Sequence, residues 1–353
     1  KFIMAYTTIK KSSDYFNTKL YSGTDSAQSE TGVGFQPDFT WIKVRNYGGS
    51  ASFEHVLTDA VRGANKTLTS NSTEAEATNN ATGYLSSFDS DGFSLASGAT
   101  SIDAVAGGGR NYASWNWLAN GTGVSNTSGS ITSTVSASAT SGFSIVSYTG
   151  TNATGTVGHG LGSTPKVVIY KNRTDVTNWY FTTTVIDGSN DLLFLNTNEA
   201  SQTFSAPVAT NSLLNLIANN DTNGSGDNII AYCFAEKQGF SKFGTYTGNG
   251  NADGTFVYTG FSPAFVMIKA TGLSENWWIM DSKRSPFNVA QNLLQANLSA
   301  AEVVGNTNIL SDMLSNGFKL RGLDGAFNSS GQNYIYMAFA EEPLVGDNPA
   351  TAR

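Results

Sequence analysis

The first residues in this chain whose types and spacing could do chemistry are two recurring aspartates. Asp59 and Asp281 stand at corresponding places of two similar segments, and a pair of carboxylates could serve glycan hydrolysis. Each is followed three residues later by an arginine, Arg62 or Arg284, which favours an ion pair near the end of a strand. A third similar segment has Asp187 without an arginine after it. The pattern therefore favours a structural ion pair over a catalytic pair.

A polar loop later in the chain resembles the beginning of a calcium-binding loop. Asp221, Asn223 and Asp227 place oxygen atoms at the first, third and seventh positions of that pattern. The twelfth position, which requires a carboxylate, is Tyr232. We therefore predict a polar hairpin turn with no resident metal, leave calcium binding open, and regard the turn at 219–228 as a candidate contact surface for a ligand.

Sugar rings stack on the faces of indole rings, so the six tryptophans are candidate glycan contacts. Trp277 and Trp278 are adjacent, and neighbouring side chains of a strand point to opposite faces of its sheet. One of these two rings should then be less buried than the other. The pair is our best candidate for a glycan contact, and the alternative is a place in the core. Together with Asp221, Asn223 and Asp227, it forms the predicted ligand-binding set.

Sequence motifs typical of hydrolases, metalloenzymes and nucleotide-binding enzymes are missing from the chain. Its two histidines, His55 and His159, stand at non-equivalent places. Its single cysteine, Cys233, lies in an apolar run and should be buried. We therefore predict that the chain is not an enzyme, has no catalytic or metal-binding residues and needs no cofactor.

Three similar segments must position these residues. The stretch at 34–43, GFQPDFTWIK, is nearly repeated at 260–269 as GFSPAFVMIK, and a looser copy, GLGSTPKVVIYK, ends at Lys171. In each copy a proline stands six residues before a lysine. Proline suits the first residue of a strand, and the apolar residues after it are typical of a strand covered on both faces. We predict that each lysine marks the place where this strand emerges into water.

Each segment continues with short strands separated by Gly, Asn and Asp turn signals and closes on an aromatic strand. This pattern predicts an all-β protein of three tandem antiparallel β-sandwich repeats, jelly-roll-like and roughly 100 residues each. Residues 73–76 and 299–302 fit capping boxes, so a short helical turn is expected at each. The corresponding closing aromatics are Trp117, Phe234 and Phe339.

The predicted domain boundaries follow the ends of these segments. Residues 126–140 are rich in Ser, Thr and Gly and poor in large apolar residues, so we predict a linker or extended arm there. The full division is an N-terminal arm (1–13), repeat 1 (14–125), the linker (126–140), repeat 2 (141–239), repeat 3 (240–345) and a C-terminal tail (346–353).

Composition narrows the class of partner. The chain has 353 residues, of which 13% are charged, and a formal net charge of −7. Lysines and arginines are scattered rather than clustered, so nucleic-acid binding is not expected. No apolar run approaches the roughly 20 residues of a membrane-spanning helix, so membrane insertion is not expected either.

Taken together, the motifs resemble a family of repeat-built virion proteins of marine tailed bacteriophages. The resemblance rests on TIKKSSDYFNTKLYSG, VGFQPDFTWIK, SFDSDGFSL, VGHGLG, AYCFAE, FVYTGFSPAFVMIK, SNGFKL and YIYMAFAE, and it extends from about Thr7 to Arg353. It implies a structural, tail-fibre-like protein and supplies no catalytic residues. The second segment departs from the pattern, because it lacks the Asp-x-x-Arg motif and the Ala-Glu turn.

The resemblance leads to one expectation and two alternatives. We expect a non-enzymatic virion protein, assembled in the host cytoplasm, that forms a tail fibre, spike or appendage and contacts a host-surface glycan or receptor. By analogy with such appendages it would be a homotrimer, with other virion proteins as partners. The first alternative is a capsid decoration or head-fibre protein without a receptor role. The second is a glycan depolymerase, which needs a groove with two carboxylates.

Overall fold

The computed structural model describes residues 6–47, 53–98, 104–347 and 349–351. Within these ranges the chain forms twenty-seven short strands, two one-turn helices and one 3-10 turn at Ser12–Asp14. Strands within each sheet pair antiparallel, as in the three closing strands. The prediction of an all-β antiparallel sandwich architecture is therefore confirmed. The number of repeats and their end points stay predictions.

The first unit of the fold has nine strands: β1 (Phe16–Ser22), β2 (Gln28–Thr31), β3 (Phe39–Val44), β4 (Val56–Asp59), β5 (Lys66–Thr69), β6 (Ala77–Thr78), β7 (Tyr84–Asp89), β8 (Gly92–Ala96) and β9 (Asn111–Trp117). They form a large sheet of order β1-β9-β3-β4-β5-β6 and a small sheet of order β2-β8-β7.

The second unit contains β10 (Val124–Asn126), β11 (Ser133–Ser138), β12 (Phe143–Thr149), β13 (Gly155–Gly158), β14 (Val167–Asn172), β15 (Tyr180–Thr183), β16 (Asp191–Phe194), β17 (Gln202–Thr203), β18 (Leu213–Leu216), helix α1 (Asn220–Asn223) and β19 (Asn228–Phe234). Its large sheet has the order β10-β11-β12-β19-β14-β15-β16-β17, and β13 pairs with β18. The expected linker at 126–140 is thus wrong over Ser133–Ser138, because β11 pairs with both β10 and β12 and belongs to the sheet.

The third unit contains β20 (Ser241–Thr247), β21 (Phe256–Tyr258), β22 (Phe261–Ala270), β23 (Trp278–Asp281), β24 (Leu294–Gln295), β25 (Ser311–Leu314), β26 (Gly317–Leu320), helix α2 (Gly325–Asn328) and β27 (Asn333–Pro343). Its large sheet has the order β20-β27-β22-β23-β24, and its small sheet the order β21-β26-β25.

The three large sheets share one strand order and one register. In each, the closing strand (β9, β19 or β27) lies between an earlier strand and the proline-led strand, which pairs next with the strand that follows it. The closing aromatics pair with the same place of the proline-led strand: Trp117 with Phe39, Phe234 with Val167 and Phe339 with Phe265. Equivalent positions in the three units can therefore be read from the pairing.

Both faces of the large sheets are buried. In the first unit, Ile42 and Tyr112 on the outer face pack with Leu85 and Phe93 of the small sheet. On the inner face, Trp115 belongs to a hydrophobic core that all three units share. The first and second units therefore each have a separate outer core, whereas the outer core of the third unit is continuous with the shared core. Each unit turns the other face of its large sheet to the centre.

The three closing aromatics meet in the middle of this shared core. The ring centroids of Trp117 and Phe234 are 6.4 Å apart, those of Trp117 and Phe339 5.5 Å, and those of Phe234 and Phe339 5.9 Å. Each ring comes from a different unit at an equivalent position. The units are therefore arranged around an approximate threefold axis within one chain.

The lysines that end the proline-led strands are buried, which corrects the expectation that they mark an exit into water. Lys43, Lys171 and Lys269 are each 0% exposed. Because both faces of the large sheet are covered, the strand does not reach solvent at its lysine. Each ammonium group donates hydrogen bonds to backbone carbonyl oxygens instead.

The expected helical turns at 73–76 and 299–302 are also wrong, since both stretches are irregular and not helical. Glu76 and Glu302 would have completed the capping boxes, but they pair with arginines of a neighbouring unit. Ion pairing across a boundary therefore replaces local capping at both places.

The described part of the N-terminal arm packs against the third unit. Ile9 is buried in the shared core, and the Tyr6 hydroxyl donates to the carbonyl oxygen of Gly260 at 2.8 Å. The backbone N–H of Asp347, in the predicted C-terminal tail, donates to the carbonyl oxygen of Lys10 at 3.2 Å. Residues 1–5, 348 and 352–353 of the two predicted end segments lie outside the described residues.

Candidate functional site

The side chains most capable of chemistry lie at boundaries between units. At the first–second boundary, Asp59 accepts hydrogen bonds from the backbone N–H and the Nε–H of Arg62. Arg62 Nη1 lies 3.2 Å from Glu76, which forms a bidentate pair with Arg173 of the second unit at 2.8 and 2.9 Å. Tyr232, also of the second unit, donates its hydroxyl to Asp59 at 2.7 Å. One charged network thus crosses this boundary.

Within this network, neighbouring charges affect the pKa values of Arg62 and Glu76 more than burial does. Burial alone would lower the pKa of the Arg62 guanidinium, but Asp59 and its neighbours raise that pKa above its usual value. Burial alone would raise the pKa of the Glu76 carboxyl, but hydrogen bonds from Arg173 and the charge of Arg62 hold that pKa below its usual value. Both groups are therefore ionised near neutral pH and act as fixed charges.

The third–first boundary repeats the network with equivalent residues. Asp281 accepts from the backbone N–H of Arg284 at 2.8 Å and from Trp115 Nε1 of the first unit at 3.0 Å. Arg284 Nη1 lies 2.8 Å from Glu302, and Glu302 pairs with Arg45 of the first unit at 3.0 Å. The side chains of Asp281 and Arg284 are fully buried.

The second–third boundary places neutral residues at the same positions. Thr183 is the equivalent of Asp59 and Asp281, because it pairs with the start of the proline-led strand in the same register. One backbone hydrogen bond is common to all three boundaries. Here the N–H of Ser201 donates to the carbonyl oxygen of Thr271 at 2.8 Å, and at the other boundaries the N–H groups of Glu76 and Glu302 donate to the equivalent carbonyl oxygens. This boundary is therefore joined by hydrogen bonds between uncharged groups and by apolar packing.

These arrangements decide the interpretation of the aspartates. The prediction that Asp59 and Asp281 form ion pairs with the arginines three residues later is confirmed. The assignment of Asp187 as their counterpart is wrong, because Thr183 holds that position. Buried carboxylates bonded to arginine cannot reach a polysaccharide chain, so this pair offers no hydrolytic groove.

The buried lysines also act at the boundaries. Lys43 Nζ donates to the carbonyl oxygen of Ser299 in the third unit at 2.8 Å, and Lys171 Nζ donates to that of Thr73 in the first unit at 3.0 Å. Lys269 instead donates to carbonyl oxygens of its own unit. Burial lowers the pKa of Lys43 to about 7 and those of Lys171 and Lys269 to about 8.

His55 is a buried link between the first and third units. Its Nδ1 accepts from Trp41 Nε1 at 2.8 Å, and its Nε2 lies 2.9 Å from the carbonyl oxygen of Gln295. Burial holds the pKa of this imidazole well below its usual value. A neutral ring with Nε2–H as donor satisfies both bonds, and this histidine is a structural connector.

The predicted glycan-contact pair is buried, which corrects that expectation. Trp277 is 1% exposed and Trp278 is 8% exposed. Trp277 Nε1 donates to the carbonyl oxygen of Phe194 in the second unit at 2.9 Å, and the equivalent Trp179 donates to that of Thr69 in the first unit at 2.8 Å. Because both faces of a large sheet are covered, rings that point in opposite directions are both buried.

The predicted loop at 219–228 contains helix α1, and Asn223 is buried within it. The Asn223 side-chain amide donates to the carbonyl oxygens of Ala153 and Ile217 at 2.7 and 3.0 Å. In helix α2 of the third unit, Asn328 makes the matching pair of bonds at 2.8 and 3.0 Å. Asn223 is therefore a recurring structural asparagine and is closed to a ligand.

The other two loop residues are half-buried and bonded to nearby chain. Asp221 accepts from the backbone N–H of Asn178 at 3.1 Å, and Asp227 accepts from the side chain of Asn172 at 2.8 Å. The structure thus brings Asp221, Asn223 and Asp227 into one loop, apart from the tryptophan pair. Within the described ranges, no group of three or more His, Cys, Asp or Glu side chains could hold a metal ion.

A cleft of about 370 Å³ opens between the N-terminal segment and the third unit. It is lined by Tyr6, Tyr258, Glu236, Gln238 and Lys242, among others. Glu236 and Lys242 form an ion pair at 3.2 Å. Sequence reasoning missed this cleft, because its walls come from distant segments. The available signal was the outward pair of aromatics in the short strand Phe256–Tyr258.

A family model described as a domain of unknown function, DUF7483, matches residues 11–343. The chain belongs to this family. The matched range begins before β1 and ends with the last residue of β27, so it includes all three units and every boundary network. Tyr6, which lines the cleft, lies outside the matched range. No curated protein matches the chain, and across the described residues no helix is long and apolar enough to cross a membrane.

Proposed function

We propose that the chain is a non-enzymatic structural protein of a tailed-bacteriophage virion, where it forms part of a tail fibre, spike or appendage and contacts a host-surface glycan. Two things support this proposal: the resemblance of the sequence to such virion proteins, and the placement of its chemically capable side chains inside unit boundaries. There the side chains hold β-sandwich units together, which favours a rigid scaffold over turnover.

The buried cysteine fits assembly in a host cytoplasm. Cys233 is fully buried, as predicted from its apolar run, and burial raises the pKa of its thiol to about 12. A thiol of this kind is unreactive. The fold is thus held by packing, hydrogen bonds and ion pairs, which form equally well under reducing conditions.

A capsid decoration protein is the second candidate, and the approximate threefold arrangement favours it. A chain with three similar faces around one axis can sit on a local threefold site of a shell. A homotrimer stays a prediction from the analogy with phage appendages, and sedimentation of the purified chain tests it.

The test is a map of the parent particle by electron cryo-microscopy, with the chain located and its copies counted. We expect a few copies at the tail. Many copies on the shell would replace the appendage proposal with the decoration protein, and absence from purified particles would overturn both. Incubation with polysaccharides of the host surface should leave their chain length unchanged, and shortening would establish a depolymerase instead.

A further inference from the structure

The outward positions of the small sheets differ sharply between units. Opposite the start of β8, β18 or β26, the pairing registers place Ser29 and Thr31 in the first unit, Thr156 and Gly158 in the second, and Phe256 and Tyr258 in the third. The strand residue between each pair, such as Val257, is the more buried one in the second and third units. Only the third unit, among these three equivalent places, presents aromatic rings.

The two rings are exposed although the fold does not require them. Phe256 is 44% exposed and Tyr258 is 55% exposed. The first unit builds the same strand with Ser29 and Thr31, both exposed, so the sandwich does not require rings here; in the second unit, the chain at 128–131 is bonded over this strand instead. Solvent-exposed aromatic area clustered beside a cleft is typical of a binding site.

We infer that the cleft beside Tyr258 binds a neutral pyranoside of the host surface, through Tyr258, Tyr6, Glu236, Gln238 and Lys242. This inference rests on the proposed role in host contact and names its ligand and site. A pyranose has an apolar C–H face and a rim of hydroxyl groups. A tyrosine ring packs on the face, while carboxylate, amide and ammonium groups bond the rim.

The cleft itself favours a small polar ligand over a protein partner. Its volume of about 370 Å³ lies within the roughly 300–1,000 Å³ of small-ligand sites. A stable protein interface would need about 800 Å² on each partner. The charges of Glu236 and Lys242 are paired with each other, which favours a neutral sugar over an acidic or basic one.

Tyr6 holds one wall of the cleft in place. Its hydroxyl donates to the carbonyl oxygen of Gly260, and burial together with a hydrogen bond to Tyr258 raises its pKa to about 12. The hydroxyl groups of the two tyrosines, one from the N-terminal segment and one from β21, both lie beside Gly260 at the cleft.

The test uses saturation-transfer NMR on the full chain with a panel of methyl hexopyranosides and short neutral oligosaccharides. The double variant Phe256→Ser, Tyr258→Thr copies the residues that the first unit has at these places, so it should fold with an unchanged melting temperature. We expect the wild type to bind at least one sugar of the panel and the variant to bind it at least tenfold more weakly, a loss of about 1.4 kcal/mol. Phe287→Ser is the control, because Phe287 is 80% exposed and is not among the residues that line the cleft.

Three outcomes would overturn the inference. They are no binding of any neutral sugar by the wild type, undiminished binding by the folded double variant, and binding of the chain to host cells that is unchanged after surface polysaccharide is stripped from them, which would indicate a protein receptor. Each leaves the virion proposal standing, since the particle map tests that proposal separately.

Discussion

The first–second and second–third boundaries use the same five positions for opposite chemistry. The first–second boundary has charged and hydrogen-bonding side chains at these positions, and the second–third boundary has neutral ones. The equivalent residues are Asp59 and Thr183, Arg62 and Ile186, Glu76 and Ser201, Arg173 and Thr271, and Tyr232 and Met337. The third–first boundary has the charged set again. The four charged positions are therefore all charged or all neutral at a boundary, and the fifth holds a hydrogen-bond donor to the aspartate, Tyr232 or Trp115, only beside the charged set.

Desolvation explains why the positions change as a set. A buried ion pair roughly balances its desolvation cost, whereas one buried charge without its partner costs several kcal/mol. A boundary with four of the five charged or polar groups would leave a carboxylate or guanidinium unsatisfied. The complete network and the fully neutral boundary are both stable solutions, and the intermediates are not.

The largest expected effect comes from breaking one charged boundary at its centre. Arg284→Met leaves the buried carboxylates of Asp281 and Glu302 without their shared partner, and we expect the free energy of unfolding to fall by about 3–5 kcal/mol. Urea unfolding followed by tryptophan fluorescence measures it. Lys11→Met is the control, because Lys11 is 57% exposed and pairs with Asp14, itself 50% exposed, at the surface, where a substitution is expected to change stability little. Equal effects of the two variants would contradict the role given to Arg284.

The buried lysines offer a second test, because their titration makes the free energy of unfolding depend on pH. The pKa of Lys43 is about 7 in the folded chain and about 10.4 in an unfolded one, so between these values only the unfolded state holds the proton and stability rises with pH. We expect Lys43→Met to reduce this rise by up to about 1.4 kcal/mol per pH unit, starting near pH 7.

Lys269→Met should do the same from about pH 8, where its own folded pKa lies. Lys10→Met, at an exposed position, should leave the rise unchanged. Above about pH 10, ionisation of buried tyrosines such as Tyr232, whose pKa burial raises, should reverse the trend. Stability that falls steadily from pH 7 to pH 9 would contradict this account of the lysines.

The smallest expected effect is at the neutral boundary. Ser201→Ala removes the hydroxyl that donates to the carbonyl oxygen of Thr271 at 3.0 Å but keeps the backbone bond between the same residues. We expect a loss of about 1 kcal/mol, the value of one neutral hydrogen bond. A loss as large as that of Arg284→Met would show that this boundary depends on its polar groups as much as the charged ones do.

The sequence supports the local part of this arrangement and not the long-range part. The Asp-x-x-Arg spacing predicts the ion pairs within the first and third units, and the repeated segments identify the closing aromatics that meet in the shared core. The partners of Glu76 and Glu302 come from other units, 97 and 257 residues away. The local sequence around these glutamates therefore fits a helical capping box and carries no sign of their distant arginine partners.

The wrong predictions about the lysines and the tryptophan pair share one cause, which is the burial of both faces of each large sheet. A lysine at the end of a strand and the second ring of a tryptophan pair should reach water when one face is open. In this fold the shared core covers the inner face and the small sheet covers the outer one. Lys43 and Trp278 are therefore buried, although their local sequence resembles that of exposed residues.

The most direct test of the central claim is to exchange one boundary chemistry for the other. The single variant Arg62→Ile breaks the first–second network, while the variant Asp59→Thr, Arg62→Ile, Glu76→Ser, Arg173→Thr, Tyr232→Met gives that boundary the neutral set. We predict that the five-fold variant unfolds with a free energy at least about 2 kcal/mol higher than the single variant, because it leaves no buried charge unpaired. A five-fold variant less stable than Arg62→Ile would contradict the claim that the set must be complete or absent.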